Sequence, residues 1–175
     1  MRKHYFIIPF VLMGLFLTSL QADNSYDNTT KALNNSAEEN VRASFRELLK
    51  AYTDGDSMAF FDNVSEDNFQ QDYIGFDDAI REDFRMNSIL NIDYVFNQMV
   101  PSGKNKYFLF VQWEKLYQNI KASQPQRKRG TSRFIFQKVN SNYKLIGMSG
   151  KILFGDARKE WKKDGHRRQS DTPRR

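Results

Sequence analysis

The chain has no cysteine, and its two histidines, His4 and His166, lie near the two ends. The first absence excludes disulfides, thiol catalysis and thiolate metal sites together, though not any compartment. The second removes Ser-His and Cys-His nucleophilic catalysis, His-ligated metal sites and imidazole proton shuttles from the body of the chain. No glycine-rich phosphate loop is present, and no internal repeat. Neither a cofactor nor a metal is therefore expected. Net charge is also scarce where it would matter. The formal total is +6, but residues 158–175 hold eight Lys/Arg against three Asp/Glu, a net +5, and Arg2 and Lys3 add +2 at the other end. The body between carries about −1, so the high pI describes the ends.

What the chain does have is a run of strand-like segments over residues 88–150. Residues 106–117 (KYFLFVQWEKLY) are aromatic and β-branched, and they follow a turn, Pro101-Ser102-Gly103-Lys104-Asn105. Residues 88–100 alternate before that turn. Folding the two back on each other places Tyr94 opposite Trp113, Phe96 opposite Val111 and Asp93 opposite Glu114; the last is an unfavourable like-charge pair. A slip of one residue would exchange the faces. Residues 130–139 and 143–150 continue as two further strands around Asn140-Ser141-Asn142, and residues 151–154 extend the sheet. One face then gathers Tyr94, Phe96, Leu109, Val111, Trp113, Phe134, Phe136, Ile146 and Met148. It requires a cover, because each large side chain left wet forgoes roughly 1.5–3 kcal/mol.

The cover is predicted upstream. Ser36-Ala37-Glu38-Glu39 reads as a capping box opening a helix with Val41, Phe45, Leu48, Leu49 and Tyr52 on one stripe. Asp54-Gly55-Asp56 ends it. Residues 57–63 form a short helix showing Met58, Phe61 and Val64 inward, and residues 76–86 a third with Phe76, Ile80 and Phe84. The plan is α+β, with three N-terminal helices packed on a four-stranded antiparallel sheet.

The ends read differently. Residues 1–22 have a basic start, an apolar run interrupted by Pro9, and a small residue, Ala22, before a polar stretch. That is the plan of a signal peptide cleaved after Ala22, too short for a comfortable membrane span; a retained N-terminal anchor is the alternative. The expected address is exported, in the bacterial periplasm. Residues 23–35 are polar and Asn-rich, a flexible linker, residues 36–157 are the domain, and residues 158–175 are a basic disordered tail.

The order of helices and strands resembles the nuclear transport factor 2-like superfamily, also described as cystatin-like. The resemblance covers residues 36–154. It rests on the first-helix stripe, the exit Ala51-Tyr52-Thr53-Asp54-Gly55-Asp56, Val111-Gln112-Trp113, and Gly147-Met148-Ser149-Gly150 with Phe154-Gly155, which is similar to the close of the last strand in bacterial exported members. It implies a cone-shaped roll with a strongly curved sheet and a pocket between sheet and helices. Its catalytic members use Asp or His with Tyr in that pocket, whereas the inward sheet face here offers Tyr94, Trp113, Ser132 and Tyr117. The fold hosts many activities and selects none.

Candidate sites follow. Tyr73, Tyr94, Trp113, Ser132 and Met148 are the candidate pocket for a small apolar ligand, with packed core as the plainer reading of Trp113 and Tyr94. Asp72 and Tyr73 are an acid and a donor at its mouth, or a solvated loop. Asp77 and Asp78 suit a helix start, and Asp83 faces water or pairs with Arg81 or Arg85. Val95, Met99, Phe108, Phe110, Ile135 and Leu145 fall on the outer face. Of these, Met99, Phe108, Phe110, Ile135 and Leu145 are the candidate homodimer interface. The basic cluster 127–129, on a loop, and the tail 158–175 suit an anionic envelope component better than nucleic acid, because after Trp161 no aromatic residue is interleaved among the basic ones. The expectation is a non-enzymatic exported binding or interaction domain. The alternative is an isomerase- or dehydratase-like enzyme using a pocket Tyr and a loop carboxylate.

Overall fold

The computed structural model describes the backbone of residues 19–155 and the side chains of residues 35–155; most of the signal segment and the whole basic tail fall outside the described residues. The chain divides into two units, Met1–Glu39 and Asn40–Arg175. In the first, the described part is the opening stretch of α1. All other elements belong to the second.

Helix α1 (Ser19–Asp54) begins well before the capping box. This corrects the flexible linker expected over residues 23–35. That segment contains no Gly or Pro, so nothing in it breaks a helix already nucleated downstream, and Ser36 and Glu39 sit within the helix rather than at its start. The predicted stripe is borne out: Val41, Phe45, Leu48, Leu49 and Tyr52 are all at most 5% exposed. Gly55, in the left-handed region at φ +71°, ends the helix.

In α2 (Ser57–Asp62) the Asp56 carboxylate accepts from the Ala59 amide at 3.0 Å, setting the start of the helix. Phe60 and Val64 then face the core, while Met58 is 77% exposed, a correction to the inward face expected for Met58; Phe61 is half-buried against Phe60 at 5.4 Å. Helix α3 (Tyr73–Met86) opens at Tyr73 because Asp72 caps it, accepting from the Gly75 amide at 3.1 Å. Phe76, Ala79 and Ile80 are buried on its inner side.

Strands β1 (Asn87–Pro101), β2 (Lys106–Asn119), β3 (Gln126–Val139) and β4 (Asn142–Gly150) form one antiparallel sheet in sequence order, curled but unclosed. The expected register holds at its centre: Tyr94 faces Trp113, Phe96 faces Val111 and Asp93 faces Glu114. The like-charge pair is relieved from the third strand, where Arg129 stands opposite Glu114 and Arg127 reaches it at 2.8 Å. The basic cluster 127–129 is thus strand, not loop.

Register shifts change which residues share a face. A bulge between Phe96 and Gln98 sets Met99 opposite Leu109 and Val100 opposite Phe108, so Met99 turns inward and Val100 takes its place outside. A second shift in β1 sets Ile89, not Leu90, opposite Tyr117. Between β3 and β4, a third sets Leu145 opposite Phe136, and Leu145 is fully buried. Met99 and Leu145 are therefore withdrawn from the outer face. The edge of β4 is sealed: Leu145 donates to Asn63 O at 2.8 Å, Ser65 donates to Leu145 O at 2.9 Å, and Gln70 donates to Ile146 O at 2.7 Å. Residues 151–155 do not prolong the sheet. They turn inward after Gly150 (φ +93°), and Leu153 and Phe154 are fully buried.

Candidate functional site

The five residues expected to line one pocket are not gathered into one. Trp113 is 2% exposed; its indole N–H donates to Ser132 Oγ at 2.7 Å, and that hydroxyl donates to Lys151 O. Met148 is buried in the same layer. Tyr94 is half-buried, edge-on to Phe45 at 5.6 Å and to Phe96 at 5.2 Å. Phe45 also meets Phe134 at 5.0 Å, so rings from α1 occupy the space under the sheet. Tyr73 packs elsewhere, on Phe61 at 6.3 Å and Phe69 at 5.8 Å. Burial first, then the nearby Glu66 and Asp77 charges, push its phenol above the usual value. Asp72 beside it is committed as the α3 cap. Tyr94 and Trp113 do share the wall of a groove of about 300 Å³, together with Asp93, Val95, Glu114 and Arg129.

The outer face keeps part of its expected apolar row. Phe108 and Phe110 are half-buried there and Val95 is 62% exposed. Ile135 is only 6% exposed, and the Gln70 side chain lies close to Gly147, its neighbour in the sheet. The Arg133 guanidinium stands 5.2 Å from the centre of the Phe108 ring and donates to Ser149 Oγ at 3.1 Å, a cation–π contact that covers one side of the ring.

The feature that sequence reasoning missed is a charged cluster inside the fold. Tyr52 from α1, Asp83 from α3 and Lys115 from β2 are each at most 1% exposed. The Tyr52 hydroxyl donates to Asp83 Oδ2 and accepts from Lys115 Nζ at 3.0 Å. Lys115 Nζ lies 3.8 Å from Asp83 Oδ2, and the Asn87 amide donates to Asp83 Oδ1. Two further partners are main-chain groups of the turned-in segment: Lys115 donates to Leu153 O at 3.0 Å, and the Gly155 amide donates to Asp83 Oδ2 at 3.2 Å. Asp83 thus neither faces water nor pairs with Arg81 or Arg85. Those arginines bridge to Asp77 and Glu82 along the helix surface. The signal was present: β2 alternation carries the inward set from Trp113 to Lys115, and a lysine on a core face requires a buried anion. Beside the cluster, a polar groove of about 350 Å³ is lined by Asn87, Tyr117, Asn119 and Lys121 among others. Among the described residues, no group of three His, Asp or Glu side chains is placed to share a metal ion.

No family profile matches the chain, and none of the curated proteins does. Solved structures do match in fold. A conserved protein from Planctomyces limnophilus superposes with a TM-score of 0.56 at 13% identity, over 65% of this chain and 94% of its own. A ketosteroid isomerase-like protein from Erwinia carotovora gives 0.53 at 12%, over 61% and 88%. A nuclear transport factor 2-like protein of unknown function from Shewanella oneidensis gives 0.51 at 7%, over 65% and 97%. The fold is therefore the nuclear transport factor 2-like, cystatin-like α+β roll, as the order of elements implied.

Proposed function

We propose that this chain, a nuclear transport factor 2-like roll whose interior is occupied by its own side chains, is a non-enzymatic exported interaction domain. It pairs with a second copy through the outer face of its sheet. The observation carrying this reading is the apolar row left on that face: Val95, Val100, Phe108 and Phe110 stay partly open to solvent, while α1 packs on the opposite face. Removing such side chains from water is worth about 25 cal/mol per Å². A two-fold axis through the row would bring each copy's apolar strip against the other's. Gln98, Gln112 and Arg133 form a polar surround, and the near-neutral body sets up little repulsion between copies. The interior supports the same reading, because Trp113, although it borders the groove beside Tyr94, is 2% exposed and bonded to Ser132, and the rings around Phe45 pack as core.

Export belongs to this proposal and rests on the basic start and apolar run of residues 1–22; an intact mass that begins at Met1 would refute cleavage. Light scattering of the full chain beside Phe110→Glu tests the pairing. The expected result is a dimer that becomes a folded monomer on substitution. A wild-type monomer would overturn it.

A further inference from the structure

The segment that follows β4 is held as a ligand is held. Its Leu153 carbonyl takes a hydrogen bond from Lys115 Nζ at 3.0 Å and lies 3.3 Å from the Tyr52 hydroxyl. Its Gly155 amide is bound by Asp83. Between these two polar grips, the Phe154 ring sits fully buried, 4.9 Å from Tyr52, 5.4 Å from Phe60 and 5.5 Å from Phe134. The position after the ring favours glycine: Gly155 has φ +69°, and a Cβ there would lie 3.1 Å from the Ala79 methyl. One acceptor grip, one donor grip, a ring pocket and a glycine slot read a short stretch of backbone with its side chains, as peptide-binding sites do.

Every group that makes the site comes from α1, α2, α3, β2 or β3, and none from the segment that fills it. Packing alone would bury Phe154. A buried Lys–Asp pair is a poor route to extra stability, since apolar residues of the same size usually do as well. What the pair adds is discrimination: its two charges are matched to one carbonyl and one amide two residues apart. The joint before the segment is Gly150, at φ +93° with its Cα hydrogen side against Thr131 O, where a Cβ would come within 2.7 Å.

We infer that Tyr52, Phe60, Asp83, Lys115 and Phe134 form a peptide-recognition site for a backbone stretch carrying an aromatic residue followed by glycine, occupied in cis by Leu153–Phe154–Gly155. The site is separate from the outer sheet face, so it stands or falls independently of the pairing proposed above.

The probe is a capped synthetic peptide of the sequence Lys-Ile-Leu-Phe-Gly-Asp, titrated against the full chain and against full-length Phe154→Ala. The variant empties the ring pocket while leaving the polar grips in place. It is expected to bind one peptide per chain, and a peptide with Ala in place of Phe is not. The unaltered chain is expected to bind at least about tenfold more weakly, because apparent affinity falls with the fraction of molecules whose site is open. A folded variant that ignores the peptide, or equal binding by both proteins, overturns the inference. Hydrogen exchange on the unaltered chain serves if the variant does not fold. The Gly155 amide is expected to exchange at least roughly tenfold faster than the buried ladder amides of β2, through release of the segment alone. Exchange of Gly155 only in step with those amides overturns the inference.

Discussion

Lys115→Met is the most informative single substitution in the fold. The side chain is fully buried, and its volume is nearly conserved, so what the change removes is charge. Asp83 then keeps the Tyr52 hydroxyl, the Asn87 amide and the Gly155 amide in the interior but loses the Lys115 ammonium. Leaving one member of a buried pair uncompensated costs roughly 3–5 kcal/mol, a large share of the ~5–15 kcal/mol that holds a domain together. Urea unfolding followed by far-ultraviolet circular dichroism should show the midpoint falling by at least about 1 M at a typical slope of ~1–3 kcal/mol per M. Asp83→Leu strands the ammonium instead and should cost a similar amount. The double variant leaves no buried charge; only neutral groups such as the Leu153 carbonyl and the Gly155 amide lose partners, at about 1–3 kcal/mol each. It is therefore expected to lose clearly less than the sum of the two singles, by about 2 kcal/mol or more. Strict additivity, or a Lys115→Met cost below ~1 kcal/mol, would refute the account of Lys115 and Asp83 as one mutually dependent pair.

Three further outcomes follow from geometry already described. Ser132→Ala leaves the Trp113 N–H and the Lys151 carbonyl without their shared hydroxyl, and should lower stability by about 1–3 kcal/mol; an unchanged thermal midpoint would refute it. Gly150→Ala places a Cβ 2.7 Å from Thr131 O at a positive φ, whereas Gly103→Ala (φ +74°) meets open space. The first should cost distinctly more than the roughly 1 kcal/mol expected of left-handed backbone alone in the second, and equal losses in urea unfolding would contradict this. Burial, then the neighbouring Tyr107, holds the Tyr143 phenol above its ordinary value. Its folded pKa lies above its unfolded one, so its contribution is complete below about pH 10 and is lost as pH climbs from there through the folded value. Tyr143→Phe should flatten that alkaline decline, and an unchanged slope would count against the shift.

The sheet was legible because alternation fixes faces, and the Tyr94–Trp113 register followed from matching apolar to apolar across one turn. Errors arose where the count of residues changes. Nothing in the composition of residues 96–98 marks an inserted residue, and at 145–147 the single sign is Gly147, a residue type that often sits at a bulge. Each shift reverses the faces beyond it, which is why Met99 and Leu145 fall on the opposite face from the expected one while Phe108 and Phe110 do not. Helix starts failed for a related reason: a capping box is a local pattern, and Ser36 cannot reveal whether the preceding turns are helical too. The Tyr52–Asp83–Lys115 cluster was half-legible. Lys115 could be read from strand parity, but Asp83 is one carboxylate among several on α3, and only the packing of three elements selects it.

The edges of the sheet carry a consequence for how copies can meet. One flank is closed by the chain around Asn63 to Gln70, whose backbone satisfies β4. The opposite flank, β1, bears two register shifts within a single strand. An incoming strand would therefore meet an irregular row of amides and carbonyls, with nowhere to run in phase for long. Growth of the sheet from copy to copy, the route to fibrils, is discouraged on both sides. A chain with this many aromatic residues is thereby steered toward closed, face-on contacts that end with the second molecule.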